Sequence, residues 1–198
     1  MNTPTHALIN WTAAKAIPGI RLPKSAVLLG SIAPDIPLYV LSISGALWFK
    51  YVAGWETTRI ARHMFSELFY HDPIWISLHN MLHSPLVLVF ALMLLQVYWR
   101  GQAMLERWWP VFLLSCLLHT AVDIPVHHDD GPLIFWPLNW TYRFSSPLSY
   151  WDPRHYGREV MFFEGCLFLF LVGLNVVNGL RRRSNRQKLD RESSPLTD

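Results

Sequence analysis

The sequence predicts an all-α protein, a polytopic membrane helical bundle with about four spanning helices plus a short N-terminal helix. Composition is the first reason: hydrophobic residues make up 52% and charged residues only 16%, where ordinary globular chains carry about 25% charged residues. The second is residues 160–180, an apolar run whose only charge is Glu164 and which ends at Arg181, Arg182 and Arg183. About 20 helical residues cross the ~30 Å of bilayer hydrocarbon, so this run is long enough to span. The third is the use of 10 Trp, 11 Phe and 7 Tyr, which suits an interfacial belt or an aromatic-rich core.

The remaining elements follow in order. Residues 7–17 are too few to cross and read as the short helix. Residues 25–49 are numerous enough but carry Pro34, Asp35 and Pro37 in mid-run, and proline interrupts helices, so this is a broken span. Residues 81–99, with His83, Ser84 and Pro85 near the start, and residues 108–124, apolar until His119 and Asp123, form a helical hairpin across residues 100–107. Residues 1–183 make one membrane-embedded domain with outer-side loops at 50–80 and 125–159. The polar residues 184–198 read as a disordered cytoplasmic tail.

Basic residues orient the bundle. With the C-terminus cytoplasmic, residues 15–24, 100–107 and 181–198 are inside and hold 11 Lys and Arg in 36 positions. The outer residues 50–82 and 125–159 hold 6 in 68. This threading brings His79, His83, Asp123, His127 and His128 to the outer side, where His6 and Asp35 can approach from the N-terminal helices.

Several classes are excluded. Cys116 and Cys166 lie in apolar runs without a CxxC pair, against a disulfide framework or a thiolate zinc site. No basic n-region precedes a clean apolar run at the N-terminus, so a cleaved signal peptide is not expected. The basic stretch 181–188 follows a spanning run and lacks interleaved aromatics, so no nucleic-acid partner is expected; the bilayer lipid is the partner. Glycine-rich phosphate loops, serine-nucleophile motifs and dinucleotide fingerprints are missing.

The chemistry concentrates in His119-Thr-Ala-Val-Asp123-Ile-Pro-Val-His127-His128-Asp129-Asp130-Gly131. Residues four apart share a helix face, so His119 and Asp123 can address one ion. Pro125 ends the helix and lets the next turn return His127 or His128. His79 and His83 repeat the spacing at the head of the neighbouring helix. Imidazole with carboxylate suits zinc first, with manganese or iron as alternatives. The bland alternatives are a structural His–Asp hydrogen bond and, for Asp35, a helix cap. His63, His71 and His155 read as ordinary hydrogen-bonded residues.

Thr5-His6, Leu29-Gly30-Ser31-Ile32-Ala33-Pro34-Asp35, His83-Ser84-Pro85 and His119-xxx-Asp123 with Trp136-Pro137 downstream, in this order, resemble the YdjM-like family of inner-membrane metal-dependent hydrolases. The resemblance covers most of the chain to about residue 140. It implies a multi-pass protein of the bacterial inner (cytoplasmic) membrane with a metal site. A fainter similarity is to zinc-dependent phospholipase C and related single-strand nucleases, which use a His-xxx-Asp pair with a later His, matched here by His119, Asp123 and His127 or His128. Their later His-xxx-Glu pair has no good match, since His155 and Glu159 follow a proline-rich loop, so a three-metal site is not expected.

The expectation is a metal-dependent hydrolase of a phosphoester or lipid-linked substrate. His6, Asp35, His79, His83, His119, Asp123 and His127 are the candidate ligands for one or two divalent ions, and Asp35 or Asp129 the candidate base. Arg143, Arg154 and Arg158 are candidate phosphate contacts or membrane-surface anchors. A closed structural site, a transport-related site and a soluble helical enzyme are the competing readings. The topology predicts that a reporter fused after Asp198 reads as cytoplasmic and one inserted near Ser146 as external; the reverse pattern inverts the threading.

Overall fold

The computed structural model describes residues 1–99 and 104–192. Its helices in chain order are α1 (Thr3–Ala16), α2 (Lys24–Ile32), α3 (Ile36–Leu47, continued by a π-helical turn at Trp48–Val52), α4 (Thr57–Arg62), α5 (Phe69–His71), α6 (Pro73–Asn80), α7 (Pro85–Tyr98), α8 (Trp108–Asp123) and α9 (Gly157–Glu192). Among the described residues the only β pairing is a single bridge between Leu133 and Arg143. The chain is all-α, as expected.

α8 is the centre of the bundle and packs against α1, α2 and α7, while α9 lies against α1. Trp108–Val126 and Gly157–Asn185 are each long and apolar enough to cross a membrane. At ~1.5 Å per residue, the first, 19 residues long, reaches about 28 Å. Two bent pairs raise the count to four: Lys24–Ile32 with Ile36–Val52, bent by 45°, and Pro73–Asn80 with Pro85–Tyr98, bent by 49°. The expected broken span is the first of these. The second differs from the sequence reading, because residues 73–80 were assigned to an outer loop and instead form a helical arm. Asp72 accepts from the backbone N–H of Ile74 and Trp75 and Pro73 opens the helix, a strong local start signal.

Two boundaries also moved. α1 begins at Thr3 rather than residue 7, which puts His6 inside the helix. α9 continues through residues 184–192, where a disordered tail was expected; residues 193–198 lie outside the described residues, as do 100–103 of the hairpin loop.

Polarity is inverted relative to a water-soluble protein. The fully buried side chains include His6, Ser31, Asn80, His83, Ser84, His119 and Thr120. Large apolar side chains face outward along α3, α7 and α9, among them Ile43, Phe90, Val97, Phe162, Leu169 and Phe170. Such a surface is a liability in water and an ordinary lipid contact in a bilayer, where buried polar groups must find partners inside the protein. Two smaller apolar clusters fix the ends: Ile60, Met64, Phe69 and Trp75 under α4–α6, and Ala26, Val27 and Val111 between α2 and α8.

The α2–α8 contact depends on Gly30. A Cβ there would stand 2.3 Å from the Phe112 carbonyl oxygen and 2.7 Å from Ser115 Cβ, and the first cannot move without shifting α8. Gly30→Ala is expected to destabilise the protein by about 1–3 kcal/mol through overpacking, read as a lower thermal midpoint in detergent. Gly165→Ala, where a Cβ would meet nothing within 4 Å, should not lower it. Equal midpoints for Gly30→Ala and wild type would refute the close-approach argument.

Candidate metal centre

Both helix breaks deliver a donor to the same place. Pro34 and Pro37 flank the turn between α2 and α3 that carries Asp35, and Pro85 opens α7 directly after the turn that carries His83. A proline removes a helical N–H and clashes with the preceding turn, so the backbone leaves the helix and the side chain projects sideways. The third and fourth donors, His119 and Asp123, stand one turn apart on α8. Asp35, His83, His119 and Asp123 each offer one atom within a group no wider than 4.8 Å.

The spacing is that of a coordination shell. His83 Nε2 and His119 Nε2 are 3.1 Å apart. His119 Nε2 is 3.4 Å from Asp35 Oδ1 and 3.2 Å from Asp123 Oδ2. His83 Nε2 is 3.7 Å from each of those two oxygens. Zinc bonds to nitrogen and oxygen of ~2.0–2.1 Å give a tetrahedron with edges of about 3.3–3.4 Å, so the donor set fits a small divalent cation.

The hydrogen bonds behind the rings sharpen this. His119 Nδ1 faces the Ser31 carbonyl at 2.8 Å, and His83 Nδ1 faces the His79 carbonyl at 3.0 Å. A carbonyl only accepts, so each Nδ1 carries the proton and a neutral ring turns its Nε2 lone pair inward. Two lone pairs and two carboxylates then converge in a buried space, and a proton or a metal ion is required between them. Carbonyls holding the outer nitrogen are also how metal-binding histidines are oriented.

A scan against family models matches residues 1–182 to one described as YdjM inner membrane protein. The chain belongs to the YdjM inner membrane protein family. No curated protein and no solved structure matches it. Two of the motifs behind the family resemblance meet in space: Ser84 donates to the Trp136 carbonyl at 2.8 Å, which seats the residue 125–159 segment over the helix break.

The other sequence candidates divide. His6, from α1, places Nε2 2.9 Å from Asp123 Oδ1 and stacks on the His119 ring at 3.7 Å. Burial lowers its pKa below the ordinary imidazole range against the pull of Asp123. His127 Nε2 lies 3.5 Å from Asp123 Oδ1, and its Nδ1 lies 3.1 Å from Asp130 Oδ2. Burial would lower His127, but the Asp123 and Asp130 carboxylates outweigh it and raise its pKa. His79 is outside the four-donor group; its ring packs beside Phe69 and His83 and its carbonyl orients His83. His128 turns away to the Ser146 carbonyl and stacks on His155. His63 pairs with Glu67 between Phe49 and Trp55, the structural role expected of it.

A cavity of about 650 Å³ opens over Asp35, His83 and Asp123, with Asp129, Tyr70 and Tyr150 among its lining. Burial pushes the phenols of Tyr70 and Tyr150 up to about 12. Segment 149–157 lines this cavity with Tyr150, Trp151, Asp152 and Arg154. Arg154 stands there paired with Asp152, while Arg143 packs over Phe69 and Tyr70 and donates to the Gly131 carbonyl.

Sequence reasoning passed over Asn80, Glu164 and Thr3. Thr3 donates its hydroxyl to Asp35. Glu164, the lone charge in the apolar run 160–180, accepts the Asn2 N–H at 2.7 Å and so secures the start of α1. Asn80 is fully buried, donates to the Ile76 carbonyl and accepts the Leu133 N–H at 2.8 Å. An amide beside His79 at the edge of an apolar run was the available signal. Asn80→Ala is expected to strand the buried Leu133 N–H at a cost of about 1–3 kcal/mol and to expose residues 125–159 to limited proteolysis sooner than in wild type. Unchanged cleavage kinetics would remove Asn80 from this role.

Proposed function

We propose that this family member is a membrane-embedded, metal-dependent hydrolase acting on a phosphoester or lipid-linked substrate. The observation that carries the reading is the set of donor separations around Asp35, His83, His119 and Asp123, at the floor of an accessible cavity. Those four side chains would hold the ion, with zinc preferred by the tetrahedral spacing and the two imidazoles. A bound divalent ion supplies an acidified water, with a pKa lowered to ~7, and a Lewis-acid pole for the scissile oxygen.

The protein's own groups perform the rest. The Ser31 and His79 carbonyls hold the two Nδ1 protons, so both Nε2 atoms stay turned to the centre. Asp35 is committed on both oxygens, to Thr3 through Oδ2 and to the donor group through Oδ1. Of the two candidate bases, that leaves Asp129, a cavity carboxylate outside the donor set, as the better one for accepting a proton. Tyr70 and Tyr150 keep their protons at neutral pH and offer phenolic O–H donors to a polar head. Leu38, Tyr39 and Phe65 line another part of the same cavity and suit an apolar portion of the substrate.

A second reading is a closed structural or transport-related metal site. Four protein donors at tetrahedral spacing favour it, since catalytic zinc keeps one position for water. The cavity over three of the four donors favours the hydrolase.

Protein purified in mild detergent is expected to contain zinc, manganese or iron by elemental analysis. His119→Ala and Asp123→Ala should each remove the ion of this group, and His63→Ala should retain it; equal content in all three overturns the centre. After exchange to cobalt, added fluoride should change the visible spectrum if a position is open. An unchanged spectrum selects the structural site.

A further inference from the structure

The cavity above the donor group has two unlike ends. One is polar and is formed by residues 129–132 and 150–154 of the loop after α8. The other is formed by Leu38 and Tyr39 of α3 with Phe65, Ser66 and Phe69, which lie on or just after a π-helical turn at His63–Leu68. Tyr39 and Phe65 line the cavity and yet are 54% and 47% exposed at the molecular surface, so the cavity reaches the surface beside them. We propose that this opening is a lateral portal, through which an acyl-chain lipid of the surrounding leaflet brings its head group to the donor set while its chains stay in the bilayer. The proposal rests on the hydrolase reading above and names the side from which its substrate comes.

Depth decides what lies outside the opening. α8 starts at a membrane boundary: Arg107 precedes it, Trp108 and Trp109 open it, and Trp108 Nε1–H donates to Ser25, beside Lys24 at the start of α2. Tryptophan with basic residues marks an interface. From Trp108 to Asp123 the helix rises about 22 Å at ~1.5 Å per residue, and ~30 Å of hydrocarbon leaves the donor set roughly 8 Å short of the opposite edge. A tilted α8 puts it deeper. Leu38 and Tyr39 follow Asp35 by one turn, about 6 Å along α3, so the opening lies close to the same level. It faces acyl chains rather than water.

The chemistry of the opening agrees with its depth. The surrounding surface is apolar, with Ile36, Val40 and Ile43 exposed on α3 and Ile74 and Leu78 on α6, which packs against α3. An apolar rim on a polar cavity matches a molecule with an apolar chain and a polar head. At the rim the Tyr39 hydroxyl lies 2.8 Å from Thr3 Oγ1, and Thr3 in turn donates to Asp35. A row of hydroxyls thus leads inward from the opening and offers hydrogen bonds to a head group that has left water. The π-helical turn is a further mark, since such turns are rare and recur at functional sites.

The test puts the photocrosslinker p-benzoylphenylalanine in place of Tyr70, which lines the cavity. The full chain is reconstituted into vesicles of phosphatidylethanolamine and phosphatidylglycerol with radiolabelled chains. The same crosslinker in place of Phe90, exposed on α7, reports bulk lipid. Lipid is expected on position 70, and it should be lost there but not on position 90 when Leu38→Trp or Phe65→Trp narrows the opening. Phe65 is at the surface, so its variant carries the test if Leu38→Trp fails to fold. Lipid on position 90 alone overturns the portal, as does lipid on position 70 that both narrowing variants leave in place. Metal content of the same preparations separates the two claims. Bound ion without lipid on position 70 overturns the portal and leaves the hydrolase a water-borne substrate. Lipid on position 70 without bound ion keeps the portal and removes the metal-dependent hydrolase.

Discussion

The structure is organised around one buried carboxylate. Asp123 is nearly inaccessible and lies within 3.7 Å of nitrogens from four histidines, His6, His83, His119 and His127. An isolated charge in such a place is strongly unfavourable, and it persists only if the surrounding groups are held against it. The first turn of α1, the break before α7 and the turn after α8 are all positioned by this requirement. Stability and chemistry are therefore difficult to separate here: His83 and His119, which help neutralise Asp123, also belong to the group that could hold a metal ion.

The helix breaks express the same constraint in the backbone. Within a bilayer an interrupted helix leaves N–H and C=O groups without water, so irregular backbone survives only where protein covers it. Both breaks of this chain are covered, and their loose groups are used. The Ser31 carbonyl, one turn before the first break, receives His119, and the His79 carbonyl, before the second, receives His83. The first break, which releases Asp35, thus supplies the acceptor that orients His119, and the second supplies the acceptor for the donor it releases, His83.

The segment after α8 is the least regular part of the chain and carries much of the cavity wall. Ser146 donates to the Pro125 carbonyl, Tyr150 N–H bonds to the Val126 carbonyl, and Asn80 and Ser84 tie the segment to the α6–α7 break. It is a loop ordered by side-chain and scattered backbone hydrogen bonds rather than by regular helix or sheet, and it runs over the cavity surface.

Residue order alone determined the helical membrane class, because a 21-residue apolar run and a low charge content have few other uses. It also determined the His119/Asp123 pair, since four-residue spacing is a local property of a helix, and it marked Asp35 and His83 through the prolines beside them. The family motifs were equally legible. Which of the scattered histidines come together was decided by tertiary structure alone. His6 and His79 are both plain histidines near an apolar helix, yet α1 packing brings one to Asp123 and the α6 register turns the other ring toward Phe69. The helical arm at 73–80, the role of Asn80 and the cavity lining formed by 149–157 likewise depend on contacts between residues far apart in the chain. Local spacing cannot encode such distances; only the packing of α1, α2 and α7 on α8 sets them.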